Sequence, residues 1–422
     1  MGKKKEKDGP KRKSIKFDVN ADIDLTRYLK VYNVQCLNDG SLPCSWLLNA
    51  MKNGIEHRKY LRKFIVEPAP SPPEGIPPQP PVLLDTIVNT IRKAHYIHIN
   101  ELVVWDLELQ HKTLANISLL IEKGIYPITR LELMDCDILY YSVERLARTF
   151  KVSNLTEVNL DYNEFGDEGC SRLCAGCKNN KTIITLSLCY CALTSASGIY
   201  LGEIAYNSTI REFYLDGNKI ECRGVSDMLR AIAIAAEDEH MKKIEEDRLK
   251  ALMIAEGALE ATDKNVTSQL GTTDASGGET DGAASDTPKK KKKKKKKGKK
   301  AKKEPDPPVV GPYIYKLHLA ENGIDPYCQG RMEELLTCIG IISRTIMHSS
   351  CFCELDLEDN AIGNLAAREI MEALVRRKEG DLPGLKMKTT AEIQKDTFAA
   401  IVKLASGLKK KKKKGKKKKK KK

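Results

Sequence analysis

Seven short segments of the chain share one pattern, and this internal repeat limits the possible folds more than any other feature. Each segment reads apolar-x-x-apolar-x-apolar-x-x and ends in Asn, Cys or Leu. The segments are 99–107, 128–136, 155–163, 183–191, 210–218, 314–322 and 352–360. Their last positions are 29, 27, 28, 27, 104 and 38 residues apart. A nearly constant period over the first five segments predicts stacked copies of one supersecondary unit.

Each copy has a physical reason for its pattern. The alternating apolar centre predicts a short β-strand whose alternate side chains point inward. The final Asn suits a turn in which its side chain bonds backbone groups, and Cys can occupy the same slot as a small, buried, weak donor. Val143, Leu146, Ala147 and Phe150 recur at helical spacing, which predicts a return helix. One unit cannot bury its own apolar face, so neighbouring copies must stack.

Three segments around the final Asn resemble the ribonuclease-inhibitor type of leucine-rich repeat. They read LDYNEFGDEG at 160–169, LDGNKI at 215–220 and LEDNAIG at 357–363. The resemblance covers about residues 96–378, apart from an interruption after the fifth segment. It implies an α/β fold, a horseshoe solenoid with a parallel sheet on its concave side and helices outside.

The interruption supports a second, broader resemblance. A repeat runs into a long charged helix, a lysine-rich stretch follows, and the repeats then resume. This layout is similar to that of a group of leucine-rich-repeat proteins associated with motile cilia. The resemblance implies a structural component of the ciliary or flagellar axoneme. The pure polylysine C-terminus of this chain departs from the layout of that group.

The predicted organisation follows the repeat and the local composition. Residues 68–81 hold eight prolines, which exclude a helix or a central strand and favour an extended strap. A ligand for an SH3 or WW domain is an alternative for this strap. The predicted segments are a basic disordered arm (1–16), a small helical N-terminal cap (17–67), the proline-rich strap (68–82), a first block of repeats (83–234), an insertion (235–310) with a charged helix over 235–261 before a disordered lysine-rich part, a second block of repeats (311–378), a C-terminal helix (379–408) and a polylysine tail (409–422).

The charge of the chain is unevenly distributed. The 422 residues include 72 Lys and Arg against 57 Asp and Glu, a formal charge of +15. Segments 289–303 and 409–422 hold 13 lysines each, so the remainder has 46 bases and 57 acids. Residues 1–16 add eight of those bases and only two of the acids. The chain is therefore an acidic body with three basic segments, which disfavours a uniformly basic nucleic-acid-binding domain.

The outward strand positions of the repeat carry acids and aromatic rings. Arg130, Arg211 and Lys316 are the only bases that the repeat pattern places against them. Acids with rigid aromatic residues predict a concave surface that binds a basic protein partner, although acids near the Asn slot are also common in this repeat class for structural reasons. The predicted residues are Glu101, Trp105, Asp106, Glu132, Asp135, Glu157, Asp161, Tyr162, Tyr190, Glu212, Tyr214, Asp216, Tyr315, Glu321, Glu354, Asp356, Glu358 and Asp359.

The lysine runs predict a second kind of contact. They repel one another and bury nothing, so we expect flexible polycationic arms that bind an acidic polymer. The resemblance to ciliary proteins favours the acidic tails of tubulin, and RNA in the nucleus or nucleolus is the alternative. The runs can also compete for the acidic concave surface of their own chain. Representative lysines are Lys289, Lys293, Lys297, Lys303, Lys409, Lys414, Lys416 and Lys422.

Other classes of function lack a motif. No apolar run approaches the ~20 residues that span a bilayer, and the first residues lack the apolar core of a secretory signal. The 13 cysteines are expected to stay reduced in the cytoplasm or nucleus. Cys174, Cys177, Cys189 and Cys191 are expected on different layers, which disfavours zinc. We expect no catalytic residue, cofactor or small-molecule substrate; a regulator of a GTPase or another enzyme is an alternative by analogy of fold alone.

Overall fold

The structure is a computed structural model that describes residues 18–71, 77, 79–122, 124–267, 312–327, 332–390 and 392–405. Side chains of the long insertion helix are described as far as residue 254. The predicted arm 1–16, the lysine-rich stretch and the tail 409–422 lie outside the described residues, and so do the eight lysines named above. The chain divides into two compact units, one of Met1–Asp238 with Pro308–Lys422 and the other of Glu239–Pro307.

Nine strands among the described residues of the first unit form one parallel sheet. Every strand pairs in register with the next strand along the chain, from the first to the last. The strands are β1 (Lys63–Val66), β2 (Glu101–Trp105), β3 (Arg130–Met134), β4 (Glu157–Asn159), β5 (Thr185–Ser187), β6 (Glu212–Tyr214), β7 (Lys316–His318), β8 (Glu354–Leu357) and β9 (Lys386–Thr389). The sheet confirms the predicted α/β solenoid.

Helices connect the strands and pack against one another in chain order, as a solenoid requires. The helices are α1 (Ala21–Asp39), α2 (Ser45–Glu56), α3 (Leu84–Lys93), α4 (His111–Glu122), α5 (Tyr140–Ala147), α6 (Gly166–Cys177), α7 (Ser197–Asn207), α8 (Glu221–Thr267), α9 (Met332–His348), α10 (Gly363–Glu379) and α11 (Lys395–Ala405). A short 3₁₀ helix, Phe150–Val152, follows α5.

The core contains a row of buried side chains that runs across all the repeats. One side chain from the centre of each strand is buried beneath the sheet, and in-register pairing places these side chains in a continuous row. The row is Phe64, Leu102, Leu131, Val158, Leu186, Phe213, Leu317, Leu355 and Met387. Because each repeat buries its row member against two neighbours, the repeats stabilise one another.

The Asn slot works as its position predicts. The Asn218 side-chain oxygen accepts hydrogen bonds from Cys191 N at 3.0 Å and Leu193 N at 3.1 Å in the preceding repeat. Its side-chain nitrogen donates to Leu188 O at 2.9 Å and Leu215 O at 2.8 Å. Asn163 and Asn360 make the corresponding bonds to the repeats that precede them. The amide therefore satisfies backbone groups that the end of a strand would otherwise leave buried and unpaired.

Cysteine replaces asparagine in two of these slots. The Cys136 thiol donates to Met134 O at 3.2 Å, and the Cys191 thiol donates to Leu160 O at 3.2 Å. Both thiols are fully buried, and burial raises the pKa of Cys136 to about 12. These cysteines keep the donor half of the asparagine amide, which explains their place in the repeat.

The structure contains two strands that the repeat pattern does not predict. β1 lies within the region 17–67, where we expected helices, and β9 lies within 379–408, where we expected a helix. Phe64 and Val66 alternate with outward residues in β1, and Met387 and Thr389 do so in β9. Neither strand has an Asn slot: the slot lies five positions after the buried row residue, and this position is Ala69 after Phe64 and Glu392 after Met387.

The insertion begins as a continuation of a repeat. Helix α8 starts at Glu221 inside the first unit and runs without interruption to Thr267, whereas we expected a separate charged helix over 235–261. In the second unit, the described side chains from 241 to 254 are exposed. A single long helix thus carries the chain out of the fifth predicted repeat.

Candidate protein-binding surface

The first outward position of each strand forms a row of alternating charge, which we call the first row. It reads Lys63, Glu101, Arg130, Glu157, Thr185, Glu212, Lys316, Glu354 and Lys386 across the sheet. Lys316 Nζ lies 3.0 Å from a Glu212 carboxylate oxygen, and Arg130 lies 3.3 Å from Glu157. The hydrogen bond to Glu212 raises the pKa of Lys316 to about 12. Each predicted acid of this row therefore has a base within ion-pair distance, although Glu157 shares Arg130 with Glu132.

The second outward position of each strand forms another row across the sheet, which we call the second row. It contains further predicted acids that are paired with basic side chains. Glu132 is buried and bonds to Arg130. Asp356 is also buried and lies 2.7 Å from Lys388 Nζ on the last strand. Hydrogen bonds with Asp356 and Glu358 raise the pKa of Lys388. The centre of the sheet thus has far less free negative charge than the sequence pattern suggests.

His318 occupies the second row on β7, surrounded by acids. Its ring nitrogens lie 3.6 Å from a Glu354 oxygen, 3.8 Å from Asp356 and 3.9 Å from Asp216. Tyr214 packs against the ring with centroids 4.6 Å apart, and only 15% of the His318 side chain is exposed. Tyr214, a predicted contact residue, is therefore partly covered.

The residue that precedes each turn links adjacent repeats. Asp161 accepts hydrogen bonds from Ser187 Oγ at 2.7 Å and Cys189 N at 2.8 Å, and burial raises its pKa. Asp216 accepts a bond from Ala320 N at 2.8 Å, and its pKa is raised for the same reason. These two predicted acids therefore form hydrogen bonds between adjacent repeats. Trp105 and Glu358 occupy the equivalent position and are exposed.

The next position of each repeat forms a line along the carboxyl-terminal ends of the strands, which we call the rim. All seven rim residues have a positive φ between 52° and 67°. Non-glycine residues rarely adopt this conformation, and Asp is among those that tolerate it best. The rim consists of Asp106, Asp135, Tyr162, Tyr190, Gly217, Glu321 and Asp359.

The rim brings together six of the predicted contact residues, and all six are exposed. Its four acids are not opposed by any base at a rim position. Asp106, Asp135 and Asp359 make no ion pair within the part of the chain that the structure describes. Free negative charge is therefore concentrated at this edge of the sheet rather than across its face.

Two rim tyrosines stack on each other. The ring centroids of Tyr162 and Tyr190 are 4.8 Å apart, and the ring planes differ by 6°. Tyr190 Oη donates a hydrogen bond to Glu321 at 2.9 Å, which raises the pKa of Tyr190 to about 12. Gly217 lies beneath the Tyr190 ring, since a Cβ atom at 217 would approach ring carbons to 2.1 Å. The Tyr190 ring thus extends over Gly217 in the next repeat, and its hydroxyl is held by Glu321 in the repeat after that.

Two residues lie away from where the sequence pattern places them. Arg211 is 4% exposed, and its guanidinium lies over the rings of Tyr313 and Tyr315 at 5.3 and 5.4 Å from the centroids. Tyr315 directly precedes β7, so it belongs to the amino-terminal ends of the strands, opposite the rim. Neither residue contributes to the aromatic pair of the rim.

The sequence pattern missed the bases that matter most for this surface. Lys63 lies on β1, and Lys386 and Lys388 lie on β9, the two strands without an Asn slot. Alternation of Phe64 with Val66 and of Leu385 with Met387 was the available signal for those strands. With these lysines in place, the first row contains four bases and four acids.

The described ranges contain no group of three or more His, Cys, Asp or Glu side chains that could hold a metal ion. Among the same residues, no helix is both long enough and apolar enough to cross a membrane.

Comparison with known proteins identifies one repeat. A family model described as Leucine Rich repeat matches residues 153–174, which include β4, the Asn163 slot and most of α6. No curated protein matches the sequence. The matched repeat and the nine-stranded parallel sheet together support a leucine-rich-repeat protein.

Proposed function

We propose that the chain is a non-enzymatic scaffold whose rim binds a basic segment of a protein partner. Leucine-rich repeats typically serve as protein-binding scaffolds, and solenoids offer extended surfaces for this purpose. The observation that carries the proposal is the contrast between paired and unpaired acids. Acids on the strands face Lys63, Arg130, Lys316, Lys386 or Lys388, whereas acids at the rim have no ion-pair partner among the described residues.

Electrostatics explain why a basic partner fits the rim. Asp106 and Asp135 occupy adjacent repeats on one side of the tyrosines, and Glu321 and Asp359 occupy adjacent repeats on the other. A row of like charges at a spacing of about 4.8 Å attracts a polycation. Contact is favourable because each partner neutralises the charge of the other. Exposed charges are screened beyond ~8 Å at physiological salt, so only a partner that contacts the rim benefits.

We further propose that the lysine runs bind an acidic polymer as a second attachment. Each run concentrates 13 lysines, a charge density suited to the acidic tails of tubulin. The order of repeats, charged helix, lysine-rich stretch and further repeats resembles leucine-rich repeat-containing protein 71. This resemblance supports the ciliary axoneme as the location and the microtubule as the polymer.

The lysine runs and the rim have opposite charges within one chain, so they compete with external partners. Deletion of 289–303 together with 409–422 is expected to strengthen binding of a fluorescein-labelled basic peptide to the rim at low salt. The reason is the high effective concentration of a tethered competitor. Fluorescence anisotropy of both chains measures the change, and equal affinities at low salt contradict the competition.

Co-sedimentation with microtubules tests the second attachment. Full-length chain is expected to pellet with intact microtubules and to be largely lost from microtubules whose acidic tails have been removed by protease. Binding that survives tail removal contradicts the tail contact. Binding to RNA but not to microtubules favours a nuclear or nucleolar role instead.

A further inference from the structure

We propose that Tyr162 and Asp135 together form a site for one arginine side chain of the bound partner. The inference rests on the proposed function, because the arginine belongs to the basic segment that follows the rim. The inference specifies the chemistry of one contact, and this contact would fix the position of the partner along the sheet.

The tyrosine stack leaves one ring face open. Tyr190 has Tyr162 on one side, and on the other side it covers Gly217 and bonds to Glu321. Among the residues that the structure describes, Tyr190 is the one aromatic ring stacked on Tyr162. Because rim residues follow chain order across the sheet, the other face of Tyr162 is directed toward the preceding repeat, where Asp135 is the rim residue. Tyr162 remains 49% exposed although Tyr190 covers one face of its ring.

Tyr190 keeps the open ring in place. Its hydroxyl is tied to Glu321, two repeats away in space, and its ring is seated over a residue with no side chain. Tyr162 lies parallel to this anchored ring. A preorganised aromatic face binds more tightly than a mobile one, since less side-chain entropy is lost on binding.

The position of Asp135 in the preceding repeat suits a cation stacked on this ring. Neighbouring repeats are separated by about 4.8 Å along the hydrogen-bonding direction. A guanidinium stacked on the open face of Tyr162 therefore lies toward the Asp135 carboxylate, which is exposed and makes no ion pair among the described residues. The ring accepts the cation on its face, and the carboxylate accepts hydrogen bonds from the guanidinium edge.

Arginine fits these two groups better than lysine. The guanidinium is planar, weakly hydrated and able to stack while it donates in its own plane, whereas an ammonium is a compact and strongly hydrated charge. The chain itself places an arginine over tyrosine rings at two sites, and at the first of them the arginine also bonds to carboxylates. Arg172 lies over the ring of Tyr140 at 5.3 Å while it bonds to Glu168 and Glu144, and Arg211 lies over Tyr313 and Tyr315.

The test measures binding of three labelled peptides to the full-length chain. The peptides share a glycine and lysine background and differ at one central residue, which is arginine, lysine or citrulline. Citrulline keeps the planar shape of arginine without its charge. Fluorescence anisotropy at 150 mM salt is expected to give the tightest binding for the arginine peptide.

Three variants locate the site. Tyr162→Asn removes the ring but retains a residue that tolerates positive φ, and it is expected to lower affinity for the arginine peptide about 3- to 5-fold. Tyr162→Phe retains the ring and should stay within about 2-fold of wild type. Asp135→Asn should reduce the preference for arginine over citrulline. Thermal unfolding of each variant confirms that the solenoid is intact.

The outcomes separate the inference from the function on which it rests. Equal losses for all three peptides in Tyr162→Asn overturn the arginine site but leave a basic partner at the rim. Failure of the wild-type chain to bind any of the peptides contradicts both the site and the proposed function.

Discussion

Tyr190 reaches past the adjacent repeat and donates a hydrogen bond to Glu321, although 131 positions of sequence separate the two residues. The bond is possible because the 104-residue step between Asn slots leaves β6 and β7 paired as neighbours. It also crosses Gly217, the one rim position without a side chain. The bond therefore connects rim residues that precede the insertion in the sequence with rim residues that follow it, and the tyrosine pair lies near the centre of the rim.

Replacement of Gly217 by alanine should disturb the tyrosine pair as well as the backbone. Gly217 has φ +67°, and a Cβ would lie 2.1 Å from the Tyr190 ring. Gly40→Ala is the matched control, since Gly40 has φ +65° and no atom within 4 Å of an added Cβ. The control should cost about 1–2 kcal/mol for the left-handed backbone alone. Gly217→Ala should cost more in chemical denaturation and alter the near-ultraviolet circular dichroism of the tyrosines.

Removal of an Asn slot should destabilise the solenoid strongly. Asn218→Ala leaves the buried N–H groups of Cys191 and Leu193 without their acceptor. Each buried unsatisfied group costs about 1–3 kcal/mol, so we expect a loss of about 3 kcal/mol in the free energy of unfolding. Asn53→Ala, at an exposed site on α2, should change it by less than about 0.5 kcal/mol. Similar losses in the two variants argue against the role assigned to the amide.

The Tyr190–Glu321 bond should respond to alkaline pH. The folded pKa of Tyr190 is raised to about 12 from an ordinary value of 10.0. The folded state therefore retains the phenolic proton more strongly than the unfolded state does. The stabilisation is fully present below pH 10 and is lost as the pH rises toward 12.

Tyrosine ring-carbon NMR can follow this titration. Glu321→Gln removes the negative charge that holds the proton, so the pKa of Tyr190 should fall toward its ordinary value. Tyr190→Phe assigns the signal. A pKa of Tyr190 that does not change in Glu321→Gln contradicts the hydrogen bond.

The repeat pattern predicts the strands that are followed by a slot residue. Each Asn side chain in a slot, such as that of Asn163, bonds backbone groups at fixed positions in its own and the preceding repeat, so the slots recur at a regular spacing in the sequence. β1 and β9 lie at the two ends of the sheet, where only one neighbouring strand pairs with each, and neither is followed by a slot residue. Their apolar alternation over four residues is too short to stand out from a helical region.

The charge balance of the surface could not be derived from the pattern for a related reason. Whether an acid is free depends on which base the register places beside it. Lys316 neutralises Glu212 across 104 residues, and Lys388 neutralises Asp356 from a strand that was not expected. The rim acids are exposed in the structure, and their separation from the paired acids is a property of the assembled sheet.

The central claim is that rim acids, rather than acids on the strands, bind the basic partner. Two double variants with the same change in charge test it: Asp106→Asn with Asp135→Asn at the rim, and Glu101→Gln with Glu157→Gln in the first row. Asparagine tolerates the positive φ of the rim positions as aspartate does. Anisotropy of one labelled arginine-rich peptide at 150 mM salt reports the affinity of each chain.

The rim variant should bind the peptide about 3- to 10-fold more weakly than wild type, as expected for the loss of two exposed charge contacts. The first-row variant should remain within about 2-fold, since its carboxylates already face Lys63 and Arg130. Equal losses in the two variants, or a larger loss in the first-row variant, contradict the account.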